Sequence, residues 1–222
     1  MKYTDLNVIY EDNHIIVVEK PVNIPVMEDS SQDEDLLSIV KEYIKVKYDK
    51  PGNVYVGLVH RLDRPVGGVM VFAKTSKAAS RLSEQVRTNT IQKTYRAVVC
   101  GSPKKNDTLR DYMVKDSKTN TSRVCSKETK DAKYAELSYE VIKSNEEISL
   151  VEISLKTGRS HQIRVQFSSR KHPLWGDQRY NKTAKPGQQI ALFAYKLKFQ
   201  HPTTKEALEF TINTPHAYPW NI

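Results

Sequence analysis

Short apolar runs separated by polar turns fill the first part of the chain and predict strands around one helix. Residues 8–10 and 15–21 alternate in the manner of strands, and the polar residues between them predict a tight turn. Residues 33–48 place apolar side chains three or four positions apart behind acidic residues, which predicts an amphipathic helix. Residues 54–59 predict a strand that leads directly into His60.

The alternation resumes at residue 69 and continues to the middle of the chain. Residues 69–73 predict a buried strand, and Thr75 or Ser76 can cap the helix that follows. That helix carries three apolar side chains on one face, namely Ala79, Leu82 and Val86. Residues 94–99 predict a strand whose alternate side chains share one side, namely Tyr95, Ala97 and Val99.

The second half begins with residues 102–133, a polar, Lys-rich stretch without clear periodicity. This stretch predicts a protruding loop or a pair of hairpins, where we expect contacts specific to a target. Residues 134–141 and 148–155 predict two further strands around a polar turn. Because neither a repeat nor a linker interrupts the pattern, we expect a single domain over residues 1–222, with 102–133 as an insertion.

The charge balance of the chain favours a polyanionic partner. The 222 residues include 35 Lys and Arg against 26 Asp and Glu, a formal net charge of +9. Such a balance in a protein that is not exported points most often to nucleic acid. A Lys-rich surface that serves only solubility is the alternative, and charge does not distinguish RNA from DNA.

The sequence also indicates a compartment and excludes some kinds of site. No apolar run approaches the ~20 residues of a membrane span and no apolar signal segment follows Lys2, so we expect a cytoplasmic protein without membrane contact. Cys100 and Cys125 lie outside any CxxC motif, and we expect reduced thiols, with Cys100 buried at the end of its strand. No His and Cys residues have zinc-site spacing, so we expect no metal.

An acid between two arginines is the first candidate for chemistry. Asp63 lies between Arg61 and Arg64, in a positive field that favours the ionised carboxylate. An ionised acid is suited to nucleophilic attack or to charge stabilisation. The glycines at 67 and 68 then allow a tight turn or a close approach before the strand. A surface loop with a solvated ion pair is the alternative interpretation.

A second candidate segment, residues 157–164, follows the last predicted strand. Ser160 can cap a helix, in which Ile163 and Phe167 share one face, although their spacing also permits a strand. In either conformation Arg164 points away from these two apolar residues. A guanidinium at the edge of a core is suited to a bidentate pair with a carboxylate.

Five segments in this order closely resemble the RluA-type pseudouridine synthases, and the resemblance extends from about residue 8 to residue 215. The segments are Glu11-Asp12-Asn13-His14 with Glu19-Lys20-Pro21, His60-Arg61-Leu62-Asp63, Lys93-Thr94-Tyr95-Arg96-Ala97, Thr157-Gly158-Arg159-Ser160-His161-Gln162-Ile163-Arg164, and His172-Pro173-Leu174-Trp175-Gly176-Asp177. The resemblance implies a mixed α/β (α+β) fold, with a bent, mainly antiparallel sheet and flanking helices and loops around a catalytic cleft. It implies an enzyme that converts uridine in ribosomal or transfer RNA to its C5-linked isomer without a cofactor, and we expect a monomer.

The resemblance also carries roles onto individual residues. Asp63 is similar to the catalytic aspartate, Tyr95 to the aromatic residue that stacks on the target base and helps to move the C5 proton, and Arg164 to the salt-bridge partner of Asp63. Arg61 resembles the arginine that enters the RNA and helps to expel the target nucleotide. The other positions implied to contact RNA are His60, Arg159, His161 and Lys93. For His60 and His161, hydrogen bonds that order their loops are the alternative.

The chain departs from the family pattern in three respects. Val66-Gly67-Gly68 replaces the usual Thr-Ser-Gly, so the hydrogen bonds of that loop must differ. Phe193 precedes Ala194 where the family usually has a histidine. We also expect the catalytic domain alone, without the S4-type RNA-binding module that many members carry.

Three rival functions are weaker. A catalytically silent RNA-binding protein of the same fold has no need to keep Asp63, Tyr95 and Arg164 together. A metal-dependent nuclease requires clustered carboxylates, and none surround Asp63 in the sequence. A glycosidase requires a second positioned acid, for which no candidate is evident.

Overall fold

The computed structural model describes residues 2–29 and 31–222 and has a mixed α/β fold. Its strands and helices follow each other as β1 Asn7–Glu11, β2 Ile15–Lys20, α1 Leu36–Lys47, β3 Gly57–Leu58, β4 Gly67–Ala73, α2 Ser76–Arg87, β5 Gln92–Cys100, β6 Asn106–Asp116, β7 Thr121–Cys125, β8 Lys133–Ser144, β9 Ile148–Leu155, α3 Gln162–Ser168, β10 Leu192–Gln200 and β11 Ala207–Thr211. The chain divides into two compact units. The first holds the chain up to Ile91 together with Ala194–Ile212, and the second holds Gln92–Phe193 together with Asn213–Ile222. The expectation of one domain stays a prediction.

The first unit is built on the strand order β1-β2-β4-β10, with β3 on β4 and β11 on β10. All seven residues of β4 are buried, because the strand is covered on both faces. Helix α2 closes one side of this core with Ala78 and Leu82. Of the two predicted caps, Thr75 is the one used, since its Oγ1 accepts a hydrogen bond from the backbone N–H of Ala78 at 3.2 Å.

The second unit is an antiparallel array in the order β5-β9-β8-β6-β7. Helix α3 packs on one face of it, where the Phe167 ring lies 5.0 Å from that of Tyr139. The register aligns Tyr139 with Ile153 and Ile153 with Tyr95, so these three side chains share that face. Residues 102–133 contain one hairpin, β6 and β7, rather than a pair, and residues 106–113 of β6 also pair with β8.

Three local predictions are wrong. The predicted strand 54–59 shortens to β3, and beyond its end the side chain of His60 accepts the hydrogen bond of the Val71 N–H on β4. Residues 162–168 are helical, but Ser160 does not cap the helix; His161 holds the cap position with a left-handed φ of 54°. Cys100 and Cys125 are both free, and Cys100 is half-buried rather than buried.

None of the helices in the described part of the chain combines the length and apolar character needed to cross a membrane.

Candidate active site

Asp63 lies in the connection between β3 and β4, in a tight turn of the first unit. The backbone N–H of Val66 donates to the carbonyl of Asp63 at 2.9 Å and closes the turn. Leu62 and Val66 are buried on either side of Asp63, whose own side chain is half-buried. The apolar neighbours therefore anchor the turn while the carboxylate stays partly accessible.

A fully buried lysine holds this turn from β2. The ammonium of Lys20 donates three hydrogen bonds, to the carbonyls of Pro21 at 2.9 Å, Arg64 at 2.9 Å and Val66 at 2.8 Å. Three bonds use every donor of an ammonium group. Burial lowers the pKa of Lys20 to about 7, against the opposing attraction of the Asp63 carboxylate. Lys20 therefore fixes the backbone around Asp63 and is a cation close enough to act on it.

Sequence reasoning missed the role of Lys20, although the residue belongs to the first resembling segment. The position of Lys20 could have indicated its burial, because it ends an apolar run that predicts a buried strand. Its three acceptors lie in Pro21 and in a loop more than forty residues away, which no local pattern reveals.

Replacing Lys20 by methionine is expected to change how stability depends on pH. The folded-state pKa of Lys20, about 7, lies below its ordinary value of 10.5, so the unfolded chain binds the extra proton between these values. Wild-type stability should therefore rise with pH over that window, by roughly 3 kcal/mol. Urea unfolding of wild type and Lys20→Met from about pH 7 to pH 10 measures the difference.

The control for this experiment is Lys77→Met, which removes an exposed lysine of α2 in the same unit. Its curve should run parallel to that of the wild type. A Lys20→Met curve that also ran parallel would show that the buried ammonium does not titrate in this range.

The two arginines that flank Asp63 in sequence have different surroundings. Arg64 turns to the loop before α1, where it pairs with Asp33 and donates to Ser31 Oγ at 2.9 Å and to the carbonyl of Asn23 at 3.2 Å. Arg61 is exposed, with its Nη1 3.8 Å from the sulfur of Met27. The expected positive field around Asp63 thus includes Lys20, while Arg64 orders a loop.

His60 serves the fold of the same segment. Its ring is buried, and its Nε2 accepts a hydrogen bond from the backbone N–H of Val71 at 3.1 Å. An accepting Nε2 means a neutral imidazole with its proton on Nδ1. This contact supports the loop-ordering alternative for His60, whereas RNA contact by His60 stays a prediction.

The unusual Val66-Gly67-Gly68 tail is explained by backbone contacts. A side chain at Gly68 would place its Cβ 2.4 Å from the carbonyl oxygen of Ala194, and the φ of Gly68 is 132°. Only glycine fits this conformation and this close approach. Val66 has no side-chain hydroxyl, but its backbone carbonyl accepts a hydrogen bond from Lys20. A backbone group therefore provides a hydrogen bond in this loop.

In the second unit, Tyr95 lies on β5 and is 8% exposed. Helix α3, which carries Arg164, packs on the sheet face to which Tyr95 belongs. Lys93 lies two residues earlier on the same side of β5 and is half-buried. Burial lowers the pKa of Lys93. Tyr95 and Lys93 thus share the sheet face on which the helix of Arg164 packs.

Arg164 forms a bidentate pair with Asp177 inside this unit. Its Nε lies 2.9 Å from Oδ2 and its Nη2 2.7 Å from Oδ1, and Asp177 is fully buried. The same carboxylate accepts the backbone N–H of Arg179 at 3.0 Å. The sequence predicted a carboxylate for Arg164 and named Asp63; Asp177 was missed as a partner, although it ends the last resembling segment. The pair with Asp63 stays a prediction.

Tyr180 completes the setting of Arg164. The guanidinium carbon lies 5.1 Å from the centre of the Tyr180 ring, and the Tyr180 hydroxyl lies 2.8 Å from His161 Nδ1. The backbone N–H of Ser122 donates to that hydroxyl at 2.7 Å, so the phenol is held by Ser122 as well as by His161. Burial raises the pKa of Tyr180, so the phenol keeps its proton. His161 therefore orders the start of α3.

The remaining predicted residues are placed as follows. Arg159 is exposed, and its Nε donates to the carbonyl of Tyr134 at 2.8 Å. Asp63 belongs to the first unit, whereas Tyr95 and Arg164 belong to the second. Across residues 2–29 and 31–222, no group of three or more His, Cys, Asp or Glu side chains could hold a metal ion.

The sequence and the fold resemble a known family. Residues 14–169 match the family model described as RNA pseudouridylate synthase. The chain is 33% identical to an RNA pseudouridine synthase, YhcT, of Bacillus subtilis over 211 residues, which cover 93% of this chain and 68% of the relative. It is 32% identical to ribosomal large subunit pseudouridine synthase D of Vibrio cholerae over 225 residues, covering 95% and 68% of the two chains.

Solved structures give the same result for the fold. Human RNA pseudouridylate synthase domain containing 4 superposes with a TM-score of 0.79 at 22% identity, covering 94% of this chain and 88% of the other. Human RNA pseudouridylate synthase domain containing 1 gives 0.77 at 22% identity, covering 98% and 86%. The predicted mixed α/β fold of this class is confirmed.

Proposed function

We propose that this chain, which belongs to the RNA pseudouridylate synthase family, converts specific uridines of ribosomal or transfer RNA to pseudouridine with Asp63 as the catalytic carboxylate. Family membership makes it an isomerase that acts on RNA. The reaction breaks the glycosidic C–N bond of a uridine, turns the freed uracil, and joins its C5 to the same sugar carbon. Atoms balance within the nucleotide, and the proton leaves C5 while N1 gains one.

The observation that carries this proposal is the turn of Asp63 held by Lys20. A buried ammonium bound to the carbonyls of Arg64 and Val66 fixes the backbone on both sides of the turn. The Asp63 carboxylate lies close enough to this ammonium to raise the pKa of Lys20 against the larger effect of burial. A positioned carboxylate costs little reorganisation when charge develops in the transition state. Asp63 can then stabilise positive character at the anomeric carbon, attack that carbon, or remove the proton at C2′ of the sugar.

Tyr95 and Arg164 take the roles that the resemblance implies. Tyr95 presents a buried ring on β5, suited to stack on the uracil, and its phenol hydroxyl is suited to act as an acid–base partner. Arg164 already forms two hydrogen bonds with Asp177, and a guanidinium offers five donors. We propose that Asp177 holds Arg164 while further donors of the same group engage Asp63.

RNA as the substrate class is supported by charge and by the relatives. The formal net charge of +9 favours a polyanion. The target base must leave its stack at a cost of a few kcal/mol, which aromatic stacking and phosphate contacts offset. Relatives of this chain are named for the large ribosomal subunit, so ribosomal RNA is the first target that we propose.

Mapping pseudouridine in total RNA, from cells with and without this protein, tests the proposal. We expect at least one position in ribosomal or transfer RNA to remain uridine when the protein is absent. That position should regain pseudouridine when wild-type protein is restored, and not when Asp63→Asn is restored. An unchanged map in cells without the protein would contradict the proposal and favour a catalytically silent RNA-binding protein.

A further inference from the structure

Each of the two units contains a lysine whose pKa is lowered by burial. The two ammonium groups differ in their hydrogen-bond partners. Lys20 is fully buried and satisfies its ammonium with three carbonyls. Lys93 is half-buried, and across residues 2–29 and 31–222 its Nζ has neither a hydrogen-bond nor an ion-pair partner. An ammonium group removed from water without a partner costs free energy. Lys93 thus has the unsatisfied charge that an anionic ligand would pair.

The surroundings of Lys93 leave an approach to its ammonium. Among residues 2–29 and 31–222, a Cβ built at Gly158 would have one atom beyond its chain neighbours within 4 Å, the Nζ of Lys93 at 4.0 Å, and Gly158 is exposed. Gly158 is the second residue of the segment Thr157–Arg164 that follows β9, and its missing side chain keeps the space beside Nζ open. A ligand group can therefore reach the ammonium past this glycine.

The position of Lys93 relative to Tyr95 defines what kind of anion fits. The two residues are separated by one position on β5, so their side chains share a side of the strand about 7 Å apart. A single nucleotide can bridge such a spacing, with its base at one point and a phosphate at the other. Burial lowers the pKa of Lys93, and no acidic side chain in the described part of the chain opposes this effect. An anionic ligand would supply the missing negative charge.

We propose that Lys93 binds a phosphate of the RNA strand at the nucleotide whose base stacks on Tyr95. This inference rests on the proposed function for the identity of that base. Lys93 would then bind the target nucleotide itself, rather than only attract RNA through its charge.

The test compares Lys93→Met with wild type in binding to an in vitro transcript of bacterial large-subunit ribosomal RNA. We expect affinity to fall about tenfold and the slope of log K against log salt to decrease by roughly 0.7 to 1, the effect of one lost phosphate contact. Lys93→Met should not lower the melting temperature, because methionine keeps the apolar stem and removes the unpartnered charge. Lys93→Arg should recover most of the affinity.

Lys143→Met is the matched stability control, because Lys143 is an exposed lysine near the end of β8. It should leave the melting temperature unchanged. Unchanged affinity and salt slope for Lys93→Met would overturn the inference, since the lysine would then serve only to cover apolar surface. A lowered melting temperature without recovery by Lys93→Arg would also overturn it, since the residue would then be structural.

The same variants separate this inference from the proposed function. Pseudouridine formation by the wild-type protein, on total RNA from cells that lack it, tests the function alone. If wild type forms pseudouridine, Lys93→Met should raise KM by about the factor lost in binding. If wild type forms none, the proposed function fails, while the binding and salt measurements still decide whether Lys93 holds a phosphate.

Discussion

Asp63→Asn is expected to lower the rate of pseudouridine formation by a factor of about 1,000 or more, the size of effect seen when an essential catalytic group is removed. Asparagine keeps the size of the side chain, but it carries no negative charge and is a poor nucleophile and base. RNA binding should remain within about threefold of wild type, because phosphate contacts dominate affinity. Single-turnover formation of pseudouridine and filter binding of the same RNA measure the two quantities.

Asp33→Asn is the matched control for this prediction. Asp33 is an exposed acid of the same unit, paired with Arg64 in the loop before α1. Its replacement should leave the rate close to that of wild type. A rate for Asp63→Asn within tenfold of wild type, with contamination excluded, would remove Asp63 from the catalytic role.

The second large effect concerns the buried pair of Arg164 and Asp177. Arg164→Met leaves the buried Asp177 carboxylate without its bidentate partner and should lower the free energy of unfolding by about 3–5 kcal/mol. Asp177→Asn removes that carboxylate from Arg164 and should also lower the free energy of unfolding. The double variant Arg164→Met with Asp177→Asn should lose clearly less than the sum of the two single losses, because the buried carboxylate is removed together with its cation. Urea unfolding of the four proteins gives the coupling energy.

The rate of pseudouridine formation by the same variants distinguishes the roles of Arg164 and Asp177. Arg164→Met and the double variant should both be inactive, since the proposed contact of Arg164 with Asp63 is gone. Asp177→Asn keeps the guanidinium and should retain part of the activity where it stays folded. Free energies that add without coupling would mean that the two side chains do not stabilise each other, and normal activity of Arg164→Met would exclude its proposed role.

The sequence predicted elements well where one local pattern decides them. Alternation over residues 148–155 matches β9, and the helix predicted after Thr75 or Ser76 matches α2. The sequence did not predict contacts between side chains and distant backbone groups. The imidazole of His60 accepts the hydrogen bond of the Val71 N–H, eleven positions away, where the predicted strand would have continued.

The candidate site shows the same limit. The residue type at 164 predicted a carboxylate partner, since a guanidinium at a core edge requires one. The sequence did not identify Asp177 as this partner, because the contact depends on the path of residues 165–176, which brings Asp177 next to Arg164. The roles of Asp63 and Tyr95 came from the resemblance, and their chemistry stays a proposal that the predicted rates will decide.

The ammonium beneath the Asp63 turn has a consequence for how the catalytic variant is studied. The Asp63 carboxylate raises the pKa of Lys20 against the larger effect of burial, which brings it to about 7. Removing that carboxylate lowers the proton affinity of Lys20 further, so Asp63→Asn at neutral pH should release a proton from a second site. The variant therefore changes two charges at once near neutrality. Assays of Asp63→Asn one to two pH units lower keep Lys20 protonated, and only there does the comparison with wild type isolate the carboxylate.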